Sequence, residues 1–326
     1  PGRKATPEEL SQYMSVVGSL AWIGRVCRPE MLVRSSKLQQ ARNSATVNDL
    51  RAANKAVRYA KSHSERGLVF RSGVIDWDGH VVIAVITDAS HGDEQDEASG
   101  TPYRSQGGRI VALATPNIMS GGVIGLHVIG YASNSLQRVV SSTMQAETYQ
   151  LQLGVEAGDV LRAAFVDLMG KLDHKQWERT AAEHMQMCWL TDCKSAESAL
   201  IRPVLGKHSS KRLGMELASL RQCLWRRRGE AIGDAADLDE RPTGEERTDH
   251  VRWVDTDVMP VDPLTKIMEP EKLLEVLEMN RWDSDQPLAS LQKKRVKQAQ
   301  RKAARRKVVE ARESKHVGGD DSATEG

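Results

Sequence analysis

Six consecutive apolar residues, Val81-Val82-Ile83-Ala84-Val85-Ile86, run directly into Thr87-Asp88. A run this short and this apolar reads as a buried strand. Met187 to Thr191 has the same character and closes on Asp192. Between them, Gly107 to Leu113 and Val123 to Tyr131 read as two more strands, with Pro116-Asn117 and Gly121-Gly122 marking the turn region that joins them. Residues 91–106 are polar and acidic and read as a loop. Three strands separated by turns imply an antiparallel meander. From 143 to 169 the period changes, and Leu151, Val155, Gly158, Leu161, Phe165 and Leu168 share one helical face. Residues 193–228 read as helical and basic, 229–249 as a loop, and Val251 to Val254 as a last strand. The order β-β-β-α-β-α-β predicts an α/β domain.

Three zones follow. Residues 1–72 are expected to be helical: Leu10, Tyr13, Met14, Val17, Leu20 and Ala21 recur at three- and four-residue steps, as do Leu50, Ala53, Ala56, Val57 and Ala60. Arg28-Pro29-Glu30 interrupts the pattern. Residues 73–268 carry the strands, and 269–326 read as a charged helical or disordered tail. A hydrophobic fraction of 40% allows a sizeable core, and with only 4% aromatics that core must be mostly aliphatic. Cys27, Cys188, Cys193 and Cys223 form no C-x-x-C pair, which argues against zinc and a disulfide framework and for free thiols in a reducing compartment. No apolar run reaches the ~18 residues that span a bilayer, and no signal-peptide pattern opens the chain. Starting at Pro1, the chain reads as a piece of a longer product.

Four carboxylates stand at telling places. Asp88 and Asp192 each follow a Thr where an apolar strand ends. Glu147 lies in the first turn of the long helix, four residues before Leu151, and so on the sheet-facing side. Asp262 follows the last strand. Clustered carboxylates repel one another unless cations neutralise them. Mg²⁺ suits such a set because it prefers oxygen ligands and leaves positions for water and phosphate. Two ions ~3.5–4 Å apart can hold the attacking water and the leaving oxygen of a phosphodiester. The bland reading stands beside this one: an Asp after a strand is a common turn former, and a Glu in a first helical turn a common dipole partner. With 44 acidic residues in the chain, only order and context distinguish the two.

Several motifs, taken in order, resemble the C-terminal part of the Pol polyprotein of copia-type retrotransposons, where the end of reverse transcriptase is followed by ribonuclease H. Tyr13-Met14-Ser15-Val16-Val17-Gly18-Ser19-Leu20 with Arg28-Pro29-Glu30 resembles Y-x-x-x-V-G-x-L…R-P-D, and Ala56 to Lys61 with Gly67-Leu68 resembles R-Y-L-K…G-L. Thr87-Asp88-Ala89-Ser90 is similar to the D-A strand end, and Ser141 to Glu147 to S-S-T-x-A-E. Thr191-Asp192-Cys193-Lys194-Ser195-Ala196 resembles D-x-x-S-A, and Asp262-Pro263-Leu264-Thr265-Lys266 the closing A-D-x-L-T-K. The likeness spans roughly residues 11–268. It implies a ribonuclease H-like fold, a five-stranded mixed sheet with flanking helices. It also implies Mg²⁺, two ions that Mn²⁺ can replace, and cleavage of the RNA strand of RNA–DNA hybrids. The four catalytic and metal-binding carboxylates carry over to Asp88, Glu147, Asp192 and Asp262, with Asp88 bridging both ions. Residues 1–72 become a remnant of the reverse-transcriptase thumb or connection. The polymerase Y-x-D-D pair is missing, the Asp88–Glu147 interval is long for the family, and K-H-I-D has no clean match.

Lys207, His208, Lys211, Arg212, Arg221, Arg226 and Arg227 form a cationic, helix-prone stretch between two of the site carboxylates. It is expected to hold duplex phosphates and to sense 2′-hydroxyls; the plainer alternative is a solvated helix face. The run 293–307 holds nine Lys or Arg and no acid; its Lys293-Lys294-Arg295-Val296-Lys297 resembles a nuclear import signal and is equally a nucleic-acid arm or a charged helix. The expected partners are an RNA–DNA hybrid and the remainder of the Pol polyprotein, with no membrane. The expected location is the cytoplasm, in a virus-like particle, with a nuclear phase, and not the secretory path. The competing readings are an inactive or domesticated binding module and a structural part of a larger Pol protein. An integrase would show the order D-D-E, whereas this chain shows D-E-D-D.

Overall fold

The computed structural model describes residues 2–94, 104–202, 210–224 and 249–285. The first three helices are α1 (Pro7–Val26), α2 (Leu32–Gln40) and α3 (Val47–Ser62). Thr6 starts α1 with a capping box: its hydroxyl accepts from the Glu9 N–H, and the Glu9 carboxylate accepts from the Thr6 N–H. Most of the periodic residues pack together, although Met14 is exposed. Tyr13, Val17, Leu20, Met31, Leu38, Ala53 and Ala56 form one apolar cluster, and the Tyr13 hydroxyl donates to the Leu38 carbonyl at 2.6 Å. Arg28-Pro29-Glu30 makes the bend between α1 and α2. Its Arg28 and Glu30 side chains are both buried and paired at 2.5 Å.

The sheet has six strands: β1 (Val82–Glu94), β2 (Arg104–Ala114), β3 (Val123–Ser135), β4 (Met187–Thr191), β5 (His250–Trp253) and β6 (Arg281–Asp283). Their order is β5-β4-β1-β2-β3-β6. β1, β2 and β3 are the expected antiparallel meander, and β4 and β5 run parallel to β1 and to each other. This is the α/β mixed sheet with flanking helices that the family likeness implies, with one strand more than the five expected. β6 pairs with β3, and α9 (Glu271–Met279) leads into it. The sheet therefore extends into the beginning of the stretch read as a charged tail.

The core explains why β1 does not alternate. Ile83 and Val85 face the cluster of α4 (Thr143–Leu168), with Leu151, Val155 and Trp189. Val82, Ala84 and Ile86 face the opposite cluster, with Ile110, Leu264, Val276 and Trp282. Residues 82–86 are fully buried, and each such aliphatic side chain contributes ~1.5–3 kcal/mol. On α4, Leu151, Val155 and Gly158 are buried as the periodicity predicts, but Leu168 is exposed because the helix overruns the sheet. Arg162 ties α4 to the strands. It is fully buried, donates to Asp249 at 2.7 Å and pairs with Asp159, while the same Asp249 oxygen accepts the Met187 N–H at 3.0 Å.

Three helices complete the described residues before α9: α5 (Trp177–His184), α6 (Lys194–Ile201) and α7 (Lys211–Leu224). A four-residue turn, α8 (Asp262–Thr265), lies against β2. Two strands are longer than the sequence pattern suggests. β1 continues through Glu94 and β2 begins at Arg104, so both ends of the expected 91–106 loop are paired backbone. No helix is long and apolar enough to cross a membrane among the described residues.

Candidate metal centre

Asp88 sits in β1 opposite Gly108 of β2. Even-numbered β1 residues point toward α8, so Asp88 faces that helix. Gly108 is what lets α8 lie there: a Cβ at this position would stand 2.8 Å from the Leu264 Cβ and 2.9 Å from Val261 Cγ1. The close approach carries Thr265 to Asp88, and the Thr265 hydroxyl donates to Asp88 Oδ2. Ser133 of β3 seals the other side, donating to the Leu264 carbonyl at 2.5 Å.

Glu147 is the fifth residue of α4, just past the first turn in which the sequence pattern put it, and is buried. Its Oε1 accepts the Ala89 N–H at 3.1 Å, which holds it at β1 one residue past Asp88. Asp192 follows the last residue of β4, which is parallel to β1 in the register Thr87↔Thr191. Its Oδ2 accepts from the Thr256 hydroxyl at 2.8 Å, and its carbonyl accepts the Trp253 indole N–H at 2.9 Å. Carboxylate oxygens of Asp88, Glu147 and Asp192 all lie within 4.8 Å of one another. Asp262 is the first residue of α8, near enough to feel the charges of Asp88 and Asp192.

Electrostatics describe a site short of positive charge. Burial, then the charges of Asp88 and Asp192, hold the Glu147 carboxyl well above the usual carboxylate range. Burial and Asp88 raise Asp192 as well. Asp262 is pushed up to about 7, again by burial first and Asp88 second, with Lys266 and Lys272 working against the shift. Lys266 is the compensating cation: burial opposes its charge, but the surrounding carboxylates, Asp88 and Asp262 foremost, outweigh that and raise it. Two buried oxygens, Glu147 Oε2 and Asp262 Oδ1, have no hydrogen-bond partner. Buried acceptors of this kind carry a desolvation penalty unless a cation or donor meets them. An all-oxygen, anionic donor set suits a hard divalent cation such as Mg²⁺ or Mn²⁺. The residues present fit the expected metal.

The expected nucleic-acid residues divide. Lys211 and Arg212 are exposed at the start of α7. Arg221 is not on that surface. It is buried, and its Nη1 donates to the carbonyls of Ala199, Leu200 and Arg202, at 2.7 Å to the last. Its charge caps the C-terminal end of α6 instead of meeting solvent. The signal was in the spacing, because Arg221 falls on the Leu213, Leu217, Leu220, Leu224 stripe. Lys207, His208, Arg226 and Arg227, and the run 293–307, lie outside the described residues. Thr265, Thr256, Lys266 and Gly108 were not singled out for the site beforehand. Only Thr265 and Lys266 left a trace, as part of the closing Asp262–Lys266 motif.

No protein-family model matches the chain, and no curated protein does. Two solved structures resemble it. One is RNase H1 from the halophilic archaeon Halobacterium salinarum NRC-1, at 13% identity over 59% of this chain and 96% of that one, TM-score 0.30. The other is the N-terminal RNase H domain of rv2228c from Mycobacterium tuberculosis, solved as a fusion with maltose-binding protein. It is 14% identical over 56% of this chain and 91% of that one, TM-score 0.29. Both TM-scores lie below 0.5, and the chemistry of the site stands on its own geometry.

Proposed function

We propose that this chain is the ribonuclease H portion of a copia-type retroelement Pol protein, a divalent-metal hydrolase of the RNA strand in RNA–DNA hybrids. One observation carries the reading: Asp88, Glu147 and Asp192 bring carboxylate oxygens within 4.8 Å of one another, and Glu147 keeps a buried oxygen unpartnered. The D-E-D-D order and the motif likeness along residues 11–268 support the same assignment. In this reading residues 1–72 are a reverse-transcriptase remnant, 73–268 the nuclease, and 269–326 an appended charged segment.

Asp88, Glu147 and Asp192 would hold Mg²⁺, with Asp262 beside them. Bound there, the metal would activate a water for attack on the phosphodiester and stabilise the leaving oxygen. The chain's own residues set the stage. The Ala89 N–H orients Glu147, Thr256 orients Asp192, and Thr265 orients Asp88. Fixing the ligands in this way lowers the reorganisation needed during the reaction. Lys266 balances part of the negative charge before substrate arrives. In the ion-free protein Asp262 keeps its proton up to about pH 7. Lys211 and Arg212 at the start of α7 would meet duplex phosphates, each as a point of salt-sensitive affinity.

The test compares wild type with Asp192→Asn on a hybrid labelled in each strand. Mg²⁺-dependent cutting of the RNA strand by wild type alone, with hybrid binding kept by the variant, is the expected result. Tight hybrid binding without any cutting by wild type would replace the enzyme with a binding module.

A further inference from the structure

A polar groove of about 900 Å³ lies between α2, the ends of β2 and β3, and the second turn of α4. Arg42 and Arg109 line it, and none of its lining residues is an Asp or Glu. Neither arginine side chain makes a hydrogen bond or ion pair among the described residues, and Glu156, outside the groove, is the carboxylate whose charge reaches Arg109. Arg109 is half-buried and Arg42 exposed. Gln150 closes the floor. It is only 2% exposed, and its amide Nε2 has no hydrogen-bond partner. Gly107 of β2 makes room for that amide, since a Cβ there would overlap the Gln150 side chain. A buried donor without an acceptor, beneath two free guanidinium groups, is an arrangement that an anionic oxygen would satisfy.

The groove's place connects it with the carboxylates. Gln150 follows Glu147 by three residues on α4, about 5 Å along the axis. Arg109 is the neighbour of Gly108, which faces Asp88, but alternation turns Arg109 to the α4 side of the sheet. The volume is too large for a lone phosphate ion and suits an extended strand. Amide groups such as those of Gln39 and Asn134 are typical partners of phosphate and sugar oxygens.

We propose that this groove is a second nucleic-acid subsite, which grips the phosphodiester backbone of the duplex whose RNA strand lies at the carboxylates. It rests on the ribonuclease reading above. It also gives the N-terminal helices a task, because α2 supplies one wall.

The test uses the full chain carrying Asp192→Asn, so that the hybrid is held uncut, and follows the affinity for a hybrid of ~20 base pairs against salt. Arg42→Gln with Arg109→Gln should weaken binding about tenfold at low salt. The slope of log affinity on log salt should fall by about 0.9 for each lost phosphate contact. Gln39→Lys should act in the opposite sense, tighter and steeper, and it decides the matter if the double variant fails to fold. Affinities within twofold of the parent with unchanged slopes would overturn the subsite while leaving the nuclease reading intact. A parent that binds no hybrid at all would overturn both.

Discussion

Asp262→Asn should make the metal-free protein more stable at alkaline pH, although it alters a residue of the site. The Asp262 carboxyl is raised to about 7 in the fold, against ~3.9 in an unfolded chain. The folded state therefore holds a proton that the unfolded state has released between about pH 4 and pH 7. Stability is fullest below that window and is lost as pH rises through it. Three units correspond to about 4 kcal/mol if Asp262 alone bore the effect. Asp88 and Asp192 share the repulsion, so removing one charge should return about 2 kcal/mol at pH 8. For a folded unit of this size that is roughly 4–8 °C in Tm. The assay is thermal unfolding in chelator at pH 5 and pH 8, wild type beside variant. The variant's advantage should be under half as large at pH 5, about one unit above the unfolded pKa, as at pH 8. Added Mg²⁺ should raise wild type more than the variant, since a ligand that binds only the folded state stabilises by mass action. A variant that melts below wild type at pH 8 in chelator would refute the reasoning, because the carboxylate would then be stabilising without a cation.

Two further expectations follow from packing. Gly108→Ala places a methyl group against Leu264 and Val261, and overpacking of this kind costs about 1–3 kcal/mol. Displacement of α8 should also lower cleavage by an order of magnitude or more, measured beside Tm; full activity would show that α8 does not need this approach. Arg162→Met leaves Asp249 buried without its guanidinium partner, which should cost about 3–5 kcal/mol in urea unfolding. A loss below about 1 kcal/mol would mean that the pair does not tie α4 to β4.

Much of this molecule was legible because its signals are local. The apolar runs of β1 and β4, the face of α4 and the N-terminal helices α1 and α3 each follow from a pattern that burial enforces. Asp192 could be placed because it follows directly on a strand end, whereas Asp88 lies inside β1, where the apolar run but not the strand stops, and Glu147 just past the first turn of α4. The misses were non-local. His91 to Glu94 looked like loop because the stretch is polar, yet a strand needs only a partner backbone, and β2 provides one at Glu94. β6 is three residues long, and only Trp282 hinted at it; that ring is buried, with its N–H donating to the Val258 carbonyl at 2.8 Å. Arg221 was read by its charge when its position on an apolar stripe governed its fate. The hydroxyls of Thr256 and Thr265 reach their carboxylates only through contacts 64 and 177 residues apart in the chain, which no local pattern records.

The most direct measurement is a cleavage time course on an RNA–DNA hybrid labelled in both strands, with Mg²⁺ titrated from zero, for wild type and Glu147→Gln. Removing the central carboxylate while leaving its size unchanged isolates the metal site from the fold. The account predicts cutting of the RNA strand alone, none in chelator, and a loss of about a thousandfold in the variant. Cleavage that survives in Glu147→Gln or in chelator, or that falls on the DNA strand, would contradict it.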